Sequence, residues 1–323
     1  MASRRKYRRK IRNKMRKSPI IIMLVILFAV IGILVWQFGG GQPNDKESDT
    51  IDTSPGNNEA GGEASFHIID VGQGDAILVM TEYGNMLIDS GDLSNDSQKK
   101  LDDYLKAKNV TGFEYVVFTH TDADHIGSGD LVILNYDVNT VIMPDYQATT
   151  KVFERLVDAI EERNVDLILI GEDKEACEQP GYSFKLGPVI NTVMAPTEDF
   201  NDANEMSVVI KSVYGETSIM LTGDAEHKSE EAMLKKYKNG ELDCDILKAG
   251  HHGSSTSTTQ EFFDAVSPEV VLISCGIGNK YGHPHKETMD KFTLAEVSIY
   301  RTDFDGSIVI TTDGETYEIT SEK

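Results

Sequence analysis

Cysteine is scarce in this chain: three in 323 residues, at positions 177, 244 and 275, too far apart to form a C-x-x-C pair. That spacing excludes a disulfide framework and a zinc knuckle. Cys244 and Cys275 lie in or beside apolar runs, so the thiols read as small buried hydrophobes. No stretch of roughly 20 to 50 residues repeats itself, which excludes a solenoid or propeller. Residues 1–17 lack any acid and carry ten of the 31 basic residues, leaving 21 basic against 53 acidic residues afterwards, a balance of −32. Dedicated nucleic-acid binders cluster Lys and Arg, so this acidic body repels a polyanion unless metal ions and a local basic stripe offset it.

The amino terminus is organised differently. After Ser18-Pro19 an uncharged apolar run extends over residues 20–36 and closes on Gln37-Phe38. It is close to the ~20 residues that a bilayer core requires of a helix. A buried core helix would leave the basic cluster unexplained, and no small-x-small cleavage pattern follows Trp36 to mark a signal peptide. The sequence therefore predicts a cytoplasmic basic segment over 1–17 and an uncleaved, single-pass transmembrane anchor over 18–38. By the positive-inside rule the large carboxyl-terminal part lies outside the cell membrane. Residues 39–64, rich in Gly, Asn, Asp, Ser and Pro, predict a disordered tether ahead of one domain over 65–323.

Within that domain, strands are expected at 66–69, 76–80 and 86–88, then a helix at 98–108, a buried strand at 115–118 and an amphipathic helix at 151–162. The second half opens similarly, with strands at 189–194, 207–213 and 218–221 and a helix at 228–237. Strands at 246–249, 270–274, 298–300 and 308–311 then alternate with helices at 259–265 and 286–294. Two mixed sheets covered by helices, an α/β four-layer αββα sandwich, accommodate this order.

Several apolar strands end abruptly in Asp or His: Asp89, His120, Asp224 and the pair His251-His252. Strand ends hold side chains rigidly beside a loop rim, and divalent ions need fixed His nitrogens and carboxylate oxygens. His120-Thr121-Asp122-Ala123-Asp124-His125 is the densest such run. It can aim His120 and Asp122 at one ion and Asp124 and His125 at a second, with Asp224 bridging. Two ions roughly 3.5–4 Å apart supply a hydroxide nucleophile near neutral pH and stabilise both reacting oxygens. A calcium loop would be richer in oxygen ligands and poorer in histidine. Gly72-Gln73-Gly74 lacks the third glycine of a dinucleotide fingerprint and reads instead as a tight turn bringing Asp75 toward the metal site.

The run resembles the metallo-β-lactamase signature H-x-H-x-D-H, in the H-x-D-x-D-H form typical of the ComEC-like, DNA-uptake branch. Asp70-Val71-Gly72-Gln73-Gly74-Asp75-Ala76, Asp89-Ser90-Gly91, Leu221-Thr222-Gly223-Asp224, His251-His252-Gly253-Ser254 and Asn279-Lys280-Tyr281-Gly282-His283-Pro284-His285 extend the resemblance from Phe66 to about Ile310. It implies one metal on His120, Asp122 and Asp224, and a second on Asp124, His125, Asp224 and one histidine of the 251–252 pair. His251 is ranked first because it directly follows the strand and Gly250. Asp89 would orient a metal-binding histidine, as carboxylates commonly do.

The chain departs from many superfamily members in having no histidine between His125 and His227. Asn204-Glu205-Met206-Ser207 occupies about that place, and the abundance of oxygen donors makes Mn2+ a candidate beside Zn2+. His67 and His227 read as structural and surface residues. His283, and after it His285, are candidates for contacting a phosphate oxygen or protonating a leaving group. The expected activity is metal-dependent phosphodiester hydrolysis, with Asp124 and His283 in catalytic roles and DNA as substrate. The alternatives are a hydrolase of a small ester, lactone, β-lactam or phosphorylated envelope component, and a metal-stabilised module without turnover. What would separate them is whether cations such as Lys248, Lys280, Lys286 and Arg301 gather on the surface around the metal mouth.

Overall fold

Strands buried on both faces organise this structure, a computed structural model describing residues 62–171 and 177–323. The predicted cytoplasmic segment, the anchor and the tether up to residue 61 lie outside the described residues. Among the described residues no helix is long and apolar enough to cross a membrane. Ala64, assigned to the tether by composition, opens the first strand.

In the first half β1 (Ala64–Ile68), β2 (Ile77–Thr81) and β3 (Gly84–Ile88) form an antiparallel meander. β4 (Gly112–Val117), β5 (Asp137–Pro144) and β6 (Asp166–Ile170) then add in parallel to β3. The second half repeats the plan. β7 (Ser183–Leu186), β8 (Val189–Ala195), β9 (Val209–Tyr214) and β10 (Thr217–Leu221) are antiparallel, and β11 (Ile246–Lys248), β12 (Val270–Ile273) and β13 (Ser298–Arg301) continue in parallel. β14 (Ile308–Thr312) and β15 (Tyr317–Ser321) return to the first sheet beside β1. The result is an eight-stranded sheet ordered β15-β14-β1-β2-β3-β4-β5-β6 and a seven-stranded sheet ordered β13-β12-β11-β10-β9-β8-β7.

Alternate residues of both sheets interlock in one core: Phe66, Ile68, Ile77, Val79, Met86 and Ile88 from the first pack with Val193, Ile210, Ile219, Leu221, Ile246 and Leu272 from the second. The intervening residues, such as Leu78, Leu87 and Val116, are equally buried and face the opposite side. Parallel strands require crossovers, and helices supply them. α1 (Asn95–Ala107) buries Leu101 and Leu105, and α4 (Lys151–Arg163) buries Val152, Phe153, Leu156 and Ile160. α5 (His227–Lys236), α6 (Gln260–Val266) and α7 (Lys286–Leu294) contribute Met233, Phe262, Phe263 and Phe292 to a second core with Met220, Leu247 and Val271. Sheets inside and helices outside give the four layers that the element order implies.

Thr150 caps α4 through the amide of Phe153, and Thr259 caps α6 through that of Phe262, contacts worth ~1 kcal/mol each. Apart from the apolar strand β6, elements absent from the sequence reading are short or polar. α2 (Ala123–Ile126), α3 (Gly129–Asn135) and α8 (Thr302–Asp305) have too few turns for a periodicity. β5 opens on the exposed residues Asp137 and Asn139, and β15 is an edge strand with three of its five residues exposed.

Candidate metal centre

β3 and β4, and then β10, β11 and β12, end on one side of the two sheets, and the chemistry-bearing residues follow directly on them. Ligands of α/β sheets gather beyond the carboxyl ends of parallel strands for the same reason. Asp89 follows β3 with a left-handed backbone (φ 58°). Its Oδ1 accepts from the Thr119 amide at 2.8 Å, and its Oδ2 accepts from Thr119 Oγ1 at 2.6 Å and from His125 Nδ1 at 2.7 Å. Asp224 follows β10 and is buried, its amide donating to Ser207 Oγ. His251 and His252 follow β11 and both adopt left-handed backbones, φ 47° and 55°. Two successive non-glycine residues there cost on the order of 1–2 kcal/mol each; the fold tolerates this where it turns both rings toward Asp224.

Four imidazoles then share one arrangement, with Nδ1 tied back and Nε2 turned to Asp224. His125 Nδ1 is held by Asp89, His120 Nδ1 lies 3.1 Å from Thr119 Oγ1, His251 Nδ1 lies 2.8 Å from Glu226 Oε1, and His252 Nδ1 donates to the Ser274 carbonyl at 3.0 Å. On the other edge His125 Nε2 is 3.3 Å from Asp224 Oδ1. The Nε2 atoms of His252, His251 and His120 are 3.5, 3.6 and 4.0 Å from Asp224 Oδ2. Asp124 Oδ2 joins at 3.3 Å from His252 Nε2. Tying Nδ1 as a donor fixes the tautomer and leaves the Nε2 lone pair aimed inward, as histidines that bind metals require.

The buried Nε2 atoms of His120, His125 and His252 and Oδ1 of Asp224 have no hydrogen-bond partner. Orphaned polar atoms at this depth are costly, and bound divalent cations would satisfy them. Electrostatics agree. Burial lowers the proton affinity of His252 and His125, but the carboxylates of Asp224 and its neighbours reverse this, raising His252 to about 9 and His125 well above its ordinary value. The field that draws protons to these rings draws any cation.

One buried group of four, Asp75, His125, Asp224 and His252, has donor atoms within 4.8 Å of one another. Asp75 differs from the other three because its Oδ2 lies 2.5 Å from Lys248 Nζ and its Oδ1 is 3.4 Å from His252 Nδ1. It stands behind the ring of His252, away from Nε2. Gly74 makes this placement possible: at φ 122°, a Cβ there would lie 2.2 Å from the Asp124 carbonyl oxygen, which accepts from the Asp75 amide. The tight turn expected at Gly72-Gln73-Gly74 is thereby explained. Glu205, Glu226 and His227 form a second such group, but Glu205 accepts from the amides of Lys228 and Ser229 at the start of α5 and Glu226 holds His251.

The remaining sequence candidates are distributed unevenly. Asp122 is exposed at the rim, and its side chain makes no hydrogen bond or ion pair among the described residues; partial burial and the charge of Asp124 push its carboxyl upward. Asn204 reaches the centre indirectly, donating to Glu226 at 3.4 Å. His283 is buried, with Nδ1 unpartnered and its ring 5.2 Å from that of His251; burial, then the charges of His252 and His251, lower it to about 4, so the ring is neutral. His285 does not face the cluster: its Nδ1 accepts from the Ser255 amide and its Nε2 donates to the Tyr281 carbonyl. The sequence reading missed Glu226 and the supporting Thr119. Their signal was proximity alone, two residues beyond Asp224 and one before His120.

Lys248 overturns an expectation. Read as a surface cation, it is fully buried, paired with Asp75 and donating to the Gly223 carbonyl at 3.0 Å. Its place in the apolar strand β11 gave no sign of the two acceptors that fold onto it. Of the other cations considered, Lys286 pairs with Asp290 and Arg301 with Asp303, while Lys280 stands over the Tyr281 ring.

Residues 69–277 match the model of the metallo-beta-lactamase superfamily. ComE operon protein 3 of Bacillus subtilis is 30% identical over 263 residues, covering 76% of this chain and 33% of its own length. Competence protein ComA of Neisseria gonorrhoeae is 30% identical over 249 residues, covering 76% and 32%. Among solved structures, the metallo hydrolase Igni18 of Ignicoccus hospitalis aligns over 76% of this chain and 98% of its own with a TM-score of 0.46 and 16% identity. The chain spans about a third of the length of these curated relatives. Every residue of the histidine–carboxylate cluster falls inside the matched span, and on that match the chain belongs to the metallo-β-lactamase superfamily, as a metal-dependent hydrolase related to competence proteins.

Proposed function

We propose that the chain is a phosphodiesterase that acts on DNA outside the cell, held to the membrane by the apolar segment 18–38. The observation that carries the hydrolytic part is the set of inward Nε2 atoms of His120, His125 and His252 around Asp224, unpartnered at full burial. The nucleic-acid part rests on the ComEC-like motifs and on relatives named as competence proteins.

Asp124, His125, Asp224 and His252 would hold one ion; His120, Asp224 and the rim carboxylate Asp122 would hold a second, with His251 beside it. We rank His252 above His251 because it is buried and its Nε2 meets both Asp124 and Asp224. Six carboxylates, Asp75, Asp89, Asp122, Asp124, Asp224 and Glu226, surround the site against the buried ammonium of Lys248, and two divalent ions would offset most of the remaining charge. Imidazole and carboxylate donors together suit Zn2+ and Mn2+. When bound, such a pair supplies a nucleophile at neutral pH and stabilises charge on the attacked phosphoryl group. Asp89 and Glu226 keep His125 and His251 in position. His283, neutral and beside His251, is placed to donate to or accept from a phosphate or leaving-group oxygen.

A second reading, hydrolysis of a small ester, lactone, β-lactam or phosphorylated envelope component, draws support from the fate of the cations. Lys248 is buried and Lys286 and Arg301 are paired with acids, so among the described residues these cations form no basic stripe at the mouth. The experiment is turnover by the full chain, with Zn2+ or Mn2+, of single-stranded DNA, double-stranded DNA, a bis-phosphodiester dye and a β-lactam. DNA cleavage abolished by chelation and by Asp124→Ala supports the nuclease; cleavage confined to the small substrates supports the second reading. No turnover with either metal would leave a binding module.

A further inference from the structure

One side-chain array is not accounted for by metal binding. Between β12 and α7 the chain makes a loop fastened by a single carboxamide. Asn279 Nδ2 donates to the carbonyls of Gly276 and His283 at 3.0 and 2.6 Å, and its Oδ1 accepts from the amides of Tyr281 and His283 at 3.2 and 3.0 Å. His285 adds a bond to the Tyr281 carbonyl, and Gln73 accepts from the Gly276 amide at 3.2 Å. A loop so fastened holds its outer side chains in place.

What it presents is apolar and aromatic. Tyr281 is 51% exposed and Ile277 78% exposed, beside a cluster that is otherwise charged. The Tyr281 ring lies nearly parallel to that of His283, centroids 5.6 Å apart at 20°, and His283 meets His251 edge-on at 5.2 Å. The tyrosine is thus one imidazole removed from the metal-binding histidines. Lys280 Nζ stands 4.8 Å from the Tyr281 ring centroid and has no acidic partner among the described residues.

We propose that Tyr281, backed by His283 and flanked by Lys280, is a stacking platform for a nucleobase next to the scissile phosphodiester of a single-stranded nucleic acid. The inference rests on the phosphodiesterase reading and adds the form of the strand. A planar, rigidly backed aromatic ring with a mobile cation beside it supplies the two contacts that single strands use, base stacking and phosphate pairing. An exposed cation–π contact is weaker than base–aromatic stacking, so an arriving base displaces the Lys280 ammonium, whose flexible stem then reaches a phosphate oxygen. A duplex offers no free base face, because its bases are already stacked and paired. One local cation of this kind also lets a chain of strongly acidic composition accept a polyanion at a single point.

The test is steady-state cleavage by the metal-loaded full chain of a short single-stranded oligonucleotide, its abasic counterpart with the same phosphates, and the duplex. The ratio of the abasic KM to the base-bearing KM is the readout. The wild-type chain is expected to show a ratio of roughly tenfold or more, Tyr281→Ala a ratio near one, and Tyr281→Trp the wild-type ratio. Lys280→Gln is expected to raise KM for both single strands and to flatten its dependence on salt. A ratio unchanged in Tyr281→Ala, or preference for the duplex, overturns the platform while leaving the phosphodiesterase intact. Failure of the wild-type chain to cleave any of the three overturns both.

Discussion

The ammonium of Lys248 lies 2.5 Å from Oδ2 of Asp75, with both side chains fully buried and Asp224 Oδ1 3.9 Å from the same nitrogen. Burying an ion pair is close to neutral overall, but breaking one is not, because the partner is left charged and unsolvated. Lys248→Met is therefore expected to destabilise the fold by about 3–5 kcal/mol, measured by urea unfolding in the presence of a chelator. Adding Asp75→Asn to that variant should recover part of the loss, since the carboxylate in direct contact with the ammonium is then neutral while Asp224 remains charged. A single variant as stable as the parent would show that the pair does not exist in solution.

His251 and His252 differ in what lies behind them. His252 is buried and donates to a main-chain carbonyl, whereas His251 is 25% exposed and hangs from Glu226, which is also partly exposed. His252→Ala should therefore lose metal more completely than His251→Ala. Metal content after equilibrium dialysis ranks the two, and the reverse order would return His251 to first place as the sequence reading had it.

The strand-end residues were legible because an apolar run that stops on Asp or His is a local pattern. The same is true of the two-sheet order, since most strands and both long helices carry their own periodicity. Choosing between His251 and His252 was not a local matter, because both follow the same strand and only their left-handed backbones and distant partners, Glu226 and Ser274, distinguish them. Lys248 was misread for a related cause. A lysine in a strand reads as solvent-facing until a carboxylate 173 positions earlier, Asp75, is folded onto it.

Asp89 accepts three hydrogen bonds, two from Thr119 and one from His125. Replacing it by Asn keeps the volume but puts a donor against donors, so the His125 ring loses the partner that sets its tautomer. Loss of such outer contacts typically costs about 10–100-fold in metal affinity, and Asp89→Asn is expected to fall in that range by competition with a chromophoric chelator. An affinity within twofold of the parent would mean that His125 is held by packing alone.

His67 offers a pH dependence remote from the metal centre. It is buried in β1, with Nδ1 2.9 Å from the Tyr104 hydroxyl and Nε2 2.8 Å from Ser65 Oγ. Burial, and then the charge of Lys108, lowers it to about 4, against 6.5 for an unperturbed imidazole. The folded state thus binds the proton less readily than the unfolded chain does. Stability from keeping the ring neutral is fully present above pH 6.5 and is lost as the pH falls from there toward 4, a contribution on the order of 3 kcal/mol. Urea midpoints measured between pH 7.5 and 4.5 with chelator present should fall more steeply in the parent than in His67→Gln, which has no proton to gain. Parallel profiles would place the ring in contact with solvent and remove it from the acid sensitivity of the fold.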